Sequence, residues 1–196
     1  MPLRRLPYRS LSALLARELD LGEDPGTLAL MRRLRRARRR GALVRPAFLA
    51  MCRWKSPRAS RLYARNSPVR VRAALAAALG ARDEARRLSA LTALSGVSVA
   101  VASAILTLLD PRRYGVLDIR VWQLLFALGA VDWRPSGRGF TGRDWLAYLA
   151  ALRGAAARLG APVRAVEYSL FRCHRRWQRG RLYDRAILAP RRTPSR

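Results

Sequence analysis

Apolar residues recur at every third or fourth position along nearly the whole chain, which is the period of an amphipathic α-helix. Alternating runs of β-branched residues, which are typical of strands, are almost absent. The pattern therefore predicts an all-α protein. The predicted helices span residues 9–19, 27–39, 45–53, 57–65, 68–79, 82–94, 99–109, 119–129, 142–159 and 163–176.

Capping residues support two of the predicted helix starts. Asn66-Ser67-Pro68 offers capping side chains followed by a proline in the first helical turn. Thr141, with Asp144 three residues later, forms a pattern like a capping box. Tryptophans 122, 133 and 145 and Tyr148 fall on or beside helices at spacings that indicate core packing.

The length of 196 residues fits a single domain made of two helical lobes that share one core. We expect that domain to span 1–189, with its central part over about 45–129. Residues 1–44 and 130–189 are then helices packed on this part. The segment 190–196 is rich in proline, arginine and serine and is predicted to be a disordered basic tail.

Charge makes nucleic acid the first partner to consider. The formal net charge is +28, from 40 basic and 12 acidic residues, and such an imbalance attracts polyanions and opposes self-association. Genomic drift explains arginine in place of lysine but does not explain the shortage of acids. We therefore predict a monomer that binds nucleic acid. The arginine run at 31–40 is either a solvated helix face or part of the binding surface.

Several other classes are excluded or disfavoured. Two cysteines, Cys52 and Cys173, and one histidine, His174, exclude a zinc site or a four-cysteine iron–sulfur cluster. His174 has no neighbouring acid and nucleophile and is given no catalytic role. No signal peptide is apparent, and the longest apolar run, Val97–Leu109, is too short to span a bilayer. We expect a cytoplasmic, nucleoid-associated protein with no membrane contact.

A tight hairpin is predicted within L-S-G-V-S-V-A-V-A-S-A-I-L, residues 94–106. Gly96 suits the turn, and the alanines after it allow two helices to cross closely. The first backbone amides of the second helix then form a seat for a phosphate. An ordinary αα-hairpin that binds nothing is the alternative. Further on, Asp118 lies in an apolar run, where a carboxylate needs either a partner or a task.

Hairpin and acid together resemble the helix–hairpin–helix DNA glycosylase superfamily, which includes endonuclease III and the adenine and 8-oxoguanine glycosylases. That motif runs L-P-G-V-G-x-K-x-A, then a helix, then V-D-x-x-V. Here the matching residues are L-S-G-V-S-V-A-V-A from Leu94 and L-D-I-R-V from Leu117, with Gly96 and Asp118 separated by 22 positions. The resemblance covers roughly 82–129 clearly and 45–80 more weakly.

The resemblance implies a two-lobed glycosylase fold without an iron–sulfur cluster. It also implies DNA contacts through Gly96, Val97 and Ser98, and no cofactor other than a monovalent cation at the hairpin. Asp118 is implied to be the catalytic acid that stabilises an oxocarbenium-like sugar or activates water. A helix N-cap at Ile119 is the alternative role for Asp118, and both roles are compatible.

Two departures from the motif narrow this expectation. Ser98 stands in place of the second hairpin glycine, which is expected to loosen the phosphate contact or alter the turn. Ala100 stands where bifunctional members carry the lysine that forms a Schiff base, a bond that alanine cannot make. Hydrolysis without coupled strand cleavage is therefore the predicted reaction.

Lys55 is the only lysine among 39 arginines and lies in C-R-W-K-S-P-R. Either it survived by chance, or it does what a guanidinium cannot do. This segment also resembles a bacterial branch of the superfamily with W-K-S-P-R followed by an asparagine, here Asn66. In the superfamily the matching region fills the gap left by a flipped base. Lys55 is therefore a second catalytic candidate, and Trp54 is either a wedge or a core residue.

Phosphate neutralisation is assigned to arginines beside these residues, namely Arg53, Arg58 and Arg120, with Arg112 and Arg113 nearby. The leading hypothesis is a base-excision-repair DNA glycosylase that acts on double-stranded DNA with Asp118. The alternatives are a non-enzymatic hairpin module that binds DNA and, less favoured, an RNA-binding protein.

Overall fold

A computed structural model describes residues 6–41 and 43–177, and within these ranges the fold is all-helical, with ten α-helices and no strand. The prediction of an all-α protein is confirmed. The helices are α1 (Leu11–Glu18), α2 (Pro25–Arg39), α3 (Arg45–Lys55), α4 (Ser60–Tyr63), α5 (Pro68–Gly80), α6 (Glu84–Thr92), α7 (Val99–Leu109), α8 (Ile119–Ala127), α9 (Gly142–Leu159) and α10 (Val163–Trp177).

Each predicted helix is present, and the one predicted over 57–65 is divided. Pro57 begins a 3-10 turn over Pro57–Ala59, and α4 follows it. Proline has no backbone N–H and fixes its own φ, so it suits the start of a new element better than the interior of a longer helix. The Ser67 cap and the Thr141–Asp144 capping box are both confirmed.

The centre of the fold is α7, whose residues from Val101 to Leu108 are all buried. It contacts α2, α3, α6 and α9, which explains why its sequence is an almost continuous apolar run. One cluster of buried hydrophobic residues extends from Leu6 to Cys173. Trp122, Trp145 and Tyr148 are fully buried in it, so their predicted place in the core is confirmed.

The last described helix, α10, packs against helices from both ends of the chain. α10 packs against α1, α8 and α9, so residues far apart in sequence meet near the start of α8. No helix in the described ranges combines the length and the hydropathy needed to cross a membrane. The proposed tail at 190–196 lies outside the described residues, and the division into two lobes stays a prediction.

Candidate active site

Lys55 and Asp118, predicted separately, form an ion pair. Lys55 is the last residue of α3, and Asp118 immediately precedes α8. Lys55 Nζ lies 2.8 Å from Asp118 Oδ2. Their side chains are only 18% and 23% exposed, respectively. The pair is therefore shielded from bulk water and yet open to a ligand.

The two carboxylate oxygens of Asp118 have separate partners. Oδ1 accepts the backbone N–H of Arg120 at 2.9 Å and caps α8, while Oδ2 accepts Lys55. Burial raises the pKa of Asp118, but the Lys55 ammonium and these hydrogen bonds outweigh burial and lower the pKa below its ordinary value. The residue is thus both a helix cap and a permanently charged carboxylate at neutral pH.

Buried side chains hold the segment that carries Asp118. Tyr148 Oη donates to Val116 O at 2.6 Å, and Leu117 N–H donates to Ser103 Oγ at 2.8 Å. Val116 N–H donates to Glu167 Oε2 at 3.2 Å. Hydrogen bonds from α7, α9 and α10 therefore fix the backbone just before the acid.

Close packing at Gly115 supports the same segment. A Cβ added at Gly115 would lie 2.7 Å from Leu152 Cδ1 and 2.9 Å from Glu167 Cβ. Since real Cβ atoms do not approach so closely, any side chain here would force either Leu152 and Glu167 or the backbone that leads to Asp118 to shift.

The predicted hairpin is present between α6 and α7, and its turn is fastened to α4. Gly96 has a φ of +80°, and a Cβ there would lie 2.7 Å from Leu62 Cβ. Buried Asn66 accepts Ser95 N–H at 2.9 Å and donates to Ser95 O at 3.1 Å. The asparagine that follows W-K-S-P-R therefore ties this segment to the hairpin.

Ser98 has a different role from the one its departure from the motif suggested. Its φ of −77° is accessible to any residue, and its hydroxyl caps α7 by accepting Val101 N–H at 3.3 Å. The amides of Val99 and Ala100, in the first turn, have no acceptor within the helix. Val97 is buried, and its N–H already donates to Leu94 O, so Val97 contributes packing and not an amide.

A cleft of about 450 Å³ joins the hairpin to the ion pair, and we call it the front cleft. The lining of this cleft includes Ser98, Val99 and Ala100 from the hairpin. It also includes Lys55 and Asp118. Ala100 stands where the motif has its lysine. It therefore lines the same cleft as Lys55, the one lysine of the chain. Two distant segments deliver the acid and the amine to it.

The opposite wall of the front cleft is a loop that sequence reasoning did not single out. Gly137, Arg138, Gly139 and Phe140 line this wall. Buried Trp122 holds the loop by donating its indole N–H to Arg134 O at 2.8 Å, and Arg134 Nε lies 2.9 Å from Asp144 Oδ2. The two glycines of this loop, at 137 and 139, were the signal in the sequence for a turn. Both have a positive φ in the structure.

A second space, the rear cavity, lies on the other side of the pair and has a volume of about 270 Å³. Lys55 and Asp118 line both spaces, so the pair separates them. The other residues that line the rear cavity are Asp24, Thr27, Trp54, Val116, Arg164, Glu167, Tyr168 and Phe171.

A second ion pair forms part of the rear cavity. Buried Arg164 pairs with Glu167 and also with Glu23, at 2.6 Å from Arg164 Nε to Glu23 Oε2. Its guanidinium lies over the rings of Tyr168, at 4.7 Å, and Trp54, at 5.7 Å. Burial raises the pKa of Glu167 although Arg164 opposes this, and the adjacent carboxylates raise the pKa of Arg164 despite its own burial.

Only one oxygen of Glu167 is engaged. Oε2 accepts both Val116 N–H and Arg164, whereas Oε1 accepts no donor from the described residues. Nothing local in the sequence marks this acid, because its contacts come from Arg164 in α10 and from the loop before α8.

The predicted DNA-contact residues are not all equally close to the pair. Trp54 is partly buried and donates its indole N–H to Thr27 Oγ1 at 3.0 Å, so it belongs to the wall of the rear cavity. Arg53 and Arg58 are exposed and line neither space. Arg120 lies in the first turn of α8. Arg113 instead pairs with Glu84 at 3.6 Å.

His174 and the potential metal ligands add no further chemistry. His174 is buried with Nε2 3.2 Å from Gln123 Oε1, and burial lowers its pKa to about 4. In the described part of the chain, no cluster of three or more histidine, cysteine or acidic side chains could hold a metal ion. In the hairpin turn, Leu94 O and Ser95 O already accept hydrogen bonds but keep a lone pair each, so the monovalent cation stays a prediction.

No protein-family model, curated protein or solved structure matches this chain. The chemistry of the site therefore has to be argued from its own residues. These are a fixed carboxylate, a lysine in contact with it, and two spaces that both have this pair in their lining.

Proposed function

We propose that this protein is a DNA glycosylase of the helix–hairpin–helix type, which flips a modified base out of duplex DNA and hydrolyses its N-glycosidic bond. The observation that carries the proposal is the contact of 2.8 Å between Lys55 and Asp118 at the end of a cleft lined by the hairpin. The net charge of +28 supports a polyanionic substrate.

The two spaces suggest how a nucleotide is arranged. The amides of Val99 and Ala100 bind a phosphate in the front cleft, where the positive end of α7 also attracts it. The flipped base enters the rear cavity, and its sugar lies at the ion pair between them. We take the volume of the rear cavity, about 270 Å³, as room for one base.

The rear cavity offers the two kinds of contact by which a flipped base is bound. Tyr168 and Phe171 contribute aromatic side chains to the lining, and Glu167 Oε1 is an acceptor with no donor among the described residues. Aromatic stacking tolerates many bases, whereas a buried carboxylate requires an N–H donor on the base edge. The cavity therefore favours bases that present such a donor.

Asp118 supplies the electrostatic part of the reaction. As the C1′–N bond breaks, its electron pair leaves with the base and positive charge develops on the sugar. A carboxylate whose lowered pKa keeps it ionised stabilises that charge. Water then adds its hydroxyl to C1′, and the water's other proton ends on the base nitrogen.

Lys55 keeps that carboxylate in place and ionised. An ammonium that donates to Asp118 has no free electron pair, so it does not attack C1′. Ala100 has no amine at all. Both facts favour hydrolysis without strand cleavage.

Substitution of Asp118 tests the proposal. Asp118→Asn can still cap α8 but carries no charge, so we expect base release to fall by about 10²–10³-fold while DNA binding persists. The measurement is alkali-dependent cleavage of a panel of oligonucleotides, each with one modified base. The matched control is Asp110→Asn, because Asp110 follows the last residue of α7 and lines neither the front cleft nor the rear cavity.

The outcome separates enzyme from binding module. Wild-type protein that binds duplex DNA but releases no base from any oligonucleotide supports the non-enzymatic alternative. Base release that is equal in wild type and Asp118→Asn contradicts the role of the acid.

Borohydride trapping tests the role of Lys55. Hydrolysis by water predicts no covalent protein–DNA adduct. An adduct that forms with wild type and disappears in Lys55→Arg would show that the lysine forms an imine, and would replace hydrolysis by lyase chemistry.

A further inference from the structure

The outward face of α2 carries a basic surface that has no part in the candidate active site. Thr27, Met31 and Leu34 point inward and are buried, while seven arginines on the other sides of the helix and at its cap are exposed. These are Arg32, Arg33, Arg35, Arg36, Arg38, Arg39 and Arg40, and together we call them the α2 arginine surface.

No carboxylate among the described residues neutralises this surface. Within the described residues, none of the seven forms an ion pair, whereas Glu18, Asp20, Glu23 and Glu84 each pair with arginines elsewhere. Arginines three and four positions apart repel one another along a helix. A helix that maintains this repulsion at seven positions is suited to an external polyanion.

The shape of the surface also fits a linear polyanion. A groove of about 590 Å³ runs along α2 and is lined by four of the arginines, at 32, 33, 36 and 40, with Ala29 and Ala37 between them. At 1.5 Å per residue, Arg32 and Arg40 are about 12 Å apart along the axis. A row of cations on this scale matches several consecutive phosphates of one strand.

The helix begins at the candidate active site and extends away from it. Thr27, in its first turn, accepts the indole N–H of Trp54, the neighbour of Lys55. Arg40 is 13 residues further along, which is about 20 Å or roughly six base pairs of duplex at 3.4 Å each.

We propose that the α2 arginine surface is a second binding site for the phosphate backbone of duplex DNA, separate from the hairpin and used without regard to sequence. The choice of DNA rests on the proposed function. A membrane is disfavoured because the apolar face of α2 is buried in the core and is not available for insertion. A protein partner is disfavoured because the groove has no aromatic or large apolar side chain that could serve as an anchor.

The test removes four arginines of the groove in the full-length chain, as Arg32→Gln, Arg33→Gln, Arg36→Gln and Arg40→Gln together. The matched control removes four exposed arginines that are scattered over the protein, at positions 17, 72, 82 and 158. Affinity for an undamaged 24-base-pair duplex is measured by fluorescence anisotropy over a range of salt concentrations. Thermal melting verifies that both variants fold.

Loss of four phosphate contacts is expected to lower the slope of log affinity against log salt by up to about 3.6, at about 0.9 per contact. If the two proteins bind equally at 1 M salt, this slope corresponds to binding up to roughly 4,000-fold weaker near 0.1 M salt for the groove variant, with a much smaller change in the control. Equal loss in both variants would show that only total charge matters and would overturn the proposal.

Two further ligands complete the test. A loss that appears with structured RNA or with phosphatidylserine vesicles, and not with the duplex, would also overturn it. Because the duplex carries no modified base, a failure here is distinct from a failure of base release.

Discussion

Two acid–base pairs line the same rear cavity, and they differ in how completely their groups are used. Arg164 binds two carboxylates, those of Glu23 and Glu167, and also lies over two aromatic rings. Lys55 binds one carboxylate oxygen in the described structure. The arginine pair is buried, while the lysine pair is open to two spaces.

The comparison supports different roles for the two pairs under the proposed function. A guanidinium with five donors can hold several walls of a cavity at once, and its charge never leaves. A lysine with one partner can exchange it for a substrate atom. We therefore propose that Arg164 and Glu167 shape the cavity, that Asp118 acts on the sugar, and that Lys55 holds Asp118 in place.

The largest expected effect is a loss of folding stability when the arginine pair is broken. Arg164→Leu leaves Glu167 buried without its cation, which is expected to lower the free energy of unfolding by about 3–5 kcal/mol. Urea denaturation measures it. Arg172→Leu, which removes a half-exposed partner of Asp20, is the control and is expected to cost less than about 1 kcal/mol. Similar losses in the two variants would remove the distinction between the pairs.

Breaking the lysine pair should have a smaller effect on stability. Lys55→Gln removes a charged hydrogen bond but leaves Asp118 partly exposed and bonded to Arg120 N–H, so we expect a loss of about 1–2 kcal/mol in the same assay. Arg53→Gln, on the exposed side of α3, should change stability by less than about 0.5 kcal/mol. A loss from Lys55→Gln as large as that from Arg164→Leu would make this pair structural as well.

The smallest expected effect is on the pH dependence of stability, to which Asp118 and Glu167 should contribute with opposite signs. The pKa of Asp118 is lowered in the fold, so the folded state binds fewer protons there than the unfolded state, and stability is lost as pH falls through that pKa. The pKa of Glu167 is raised, so its ionisation reduces stability as pH increases through its own pKa.

Urea midpoints from roughly pH 2 to pH 7 measure both signs, because the Asp118 effect lies below the ordinary Asp pKa of roughly 3.9 and the Glu167 effect lies above the ordinary Glu pKa of roughly 4.3. Asp118→Asn is expected to make the stability less sensitive to acid, and Glu167→Gln to make it more sensitive. Shifts in the same direction would contradict the assignment of opposite environments.

Much of the fold follows from local signals. Ser67 with Pro68, and Thr141 with Asp144, begin helices as predicted because a cap involves residues only a few positions apart. Lys55 and Asp118 were also singled out from the sequence, one as the only lysine and the other as an acid in an apolar run. Their contact was not predicted, because 63 positions separate them and the packing of α3 against α7 brings them together.

Other parts of the site carry no comparable signal. Glu167 occupies an ordinary position in an amphipathic helix and becomes important only because Gly115 and Val116 pass beside it. The loop that forms the wall of the front cleft gains its place from Trp122, which is itself buried in the core. Contacts of this kind join helices to loops that are distant in sequence and cannot be derived from any one segment.

The sequence by itself determined the all-helical class, the starts and ends of the helices to within a few residues, the hairpin, and the two reactive candidates, because these depend on periodicity, capping and residue type. Only the tertiary structure decided that the amine faces the acid, that Ser98 caps α7 in place of a second glycine, and that the pair stands between two spaces. Burial and packing act between distant residues, and it is burial, together with the Lys55 ammonium, that sets the charge and accessibility of Asp118.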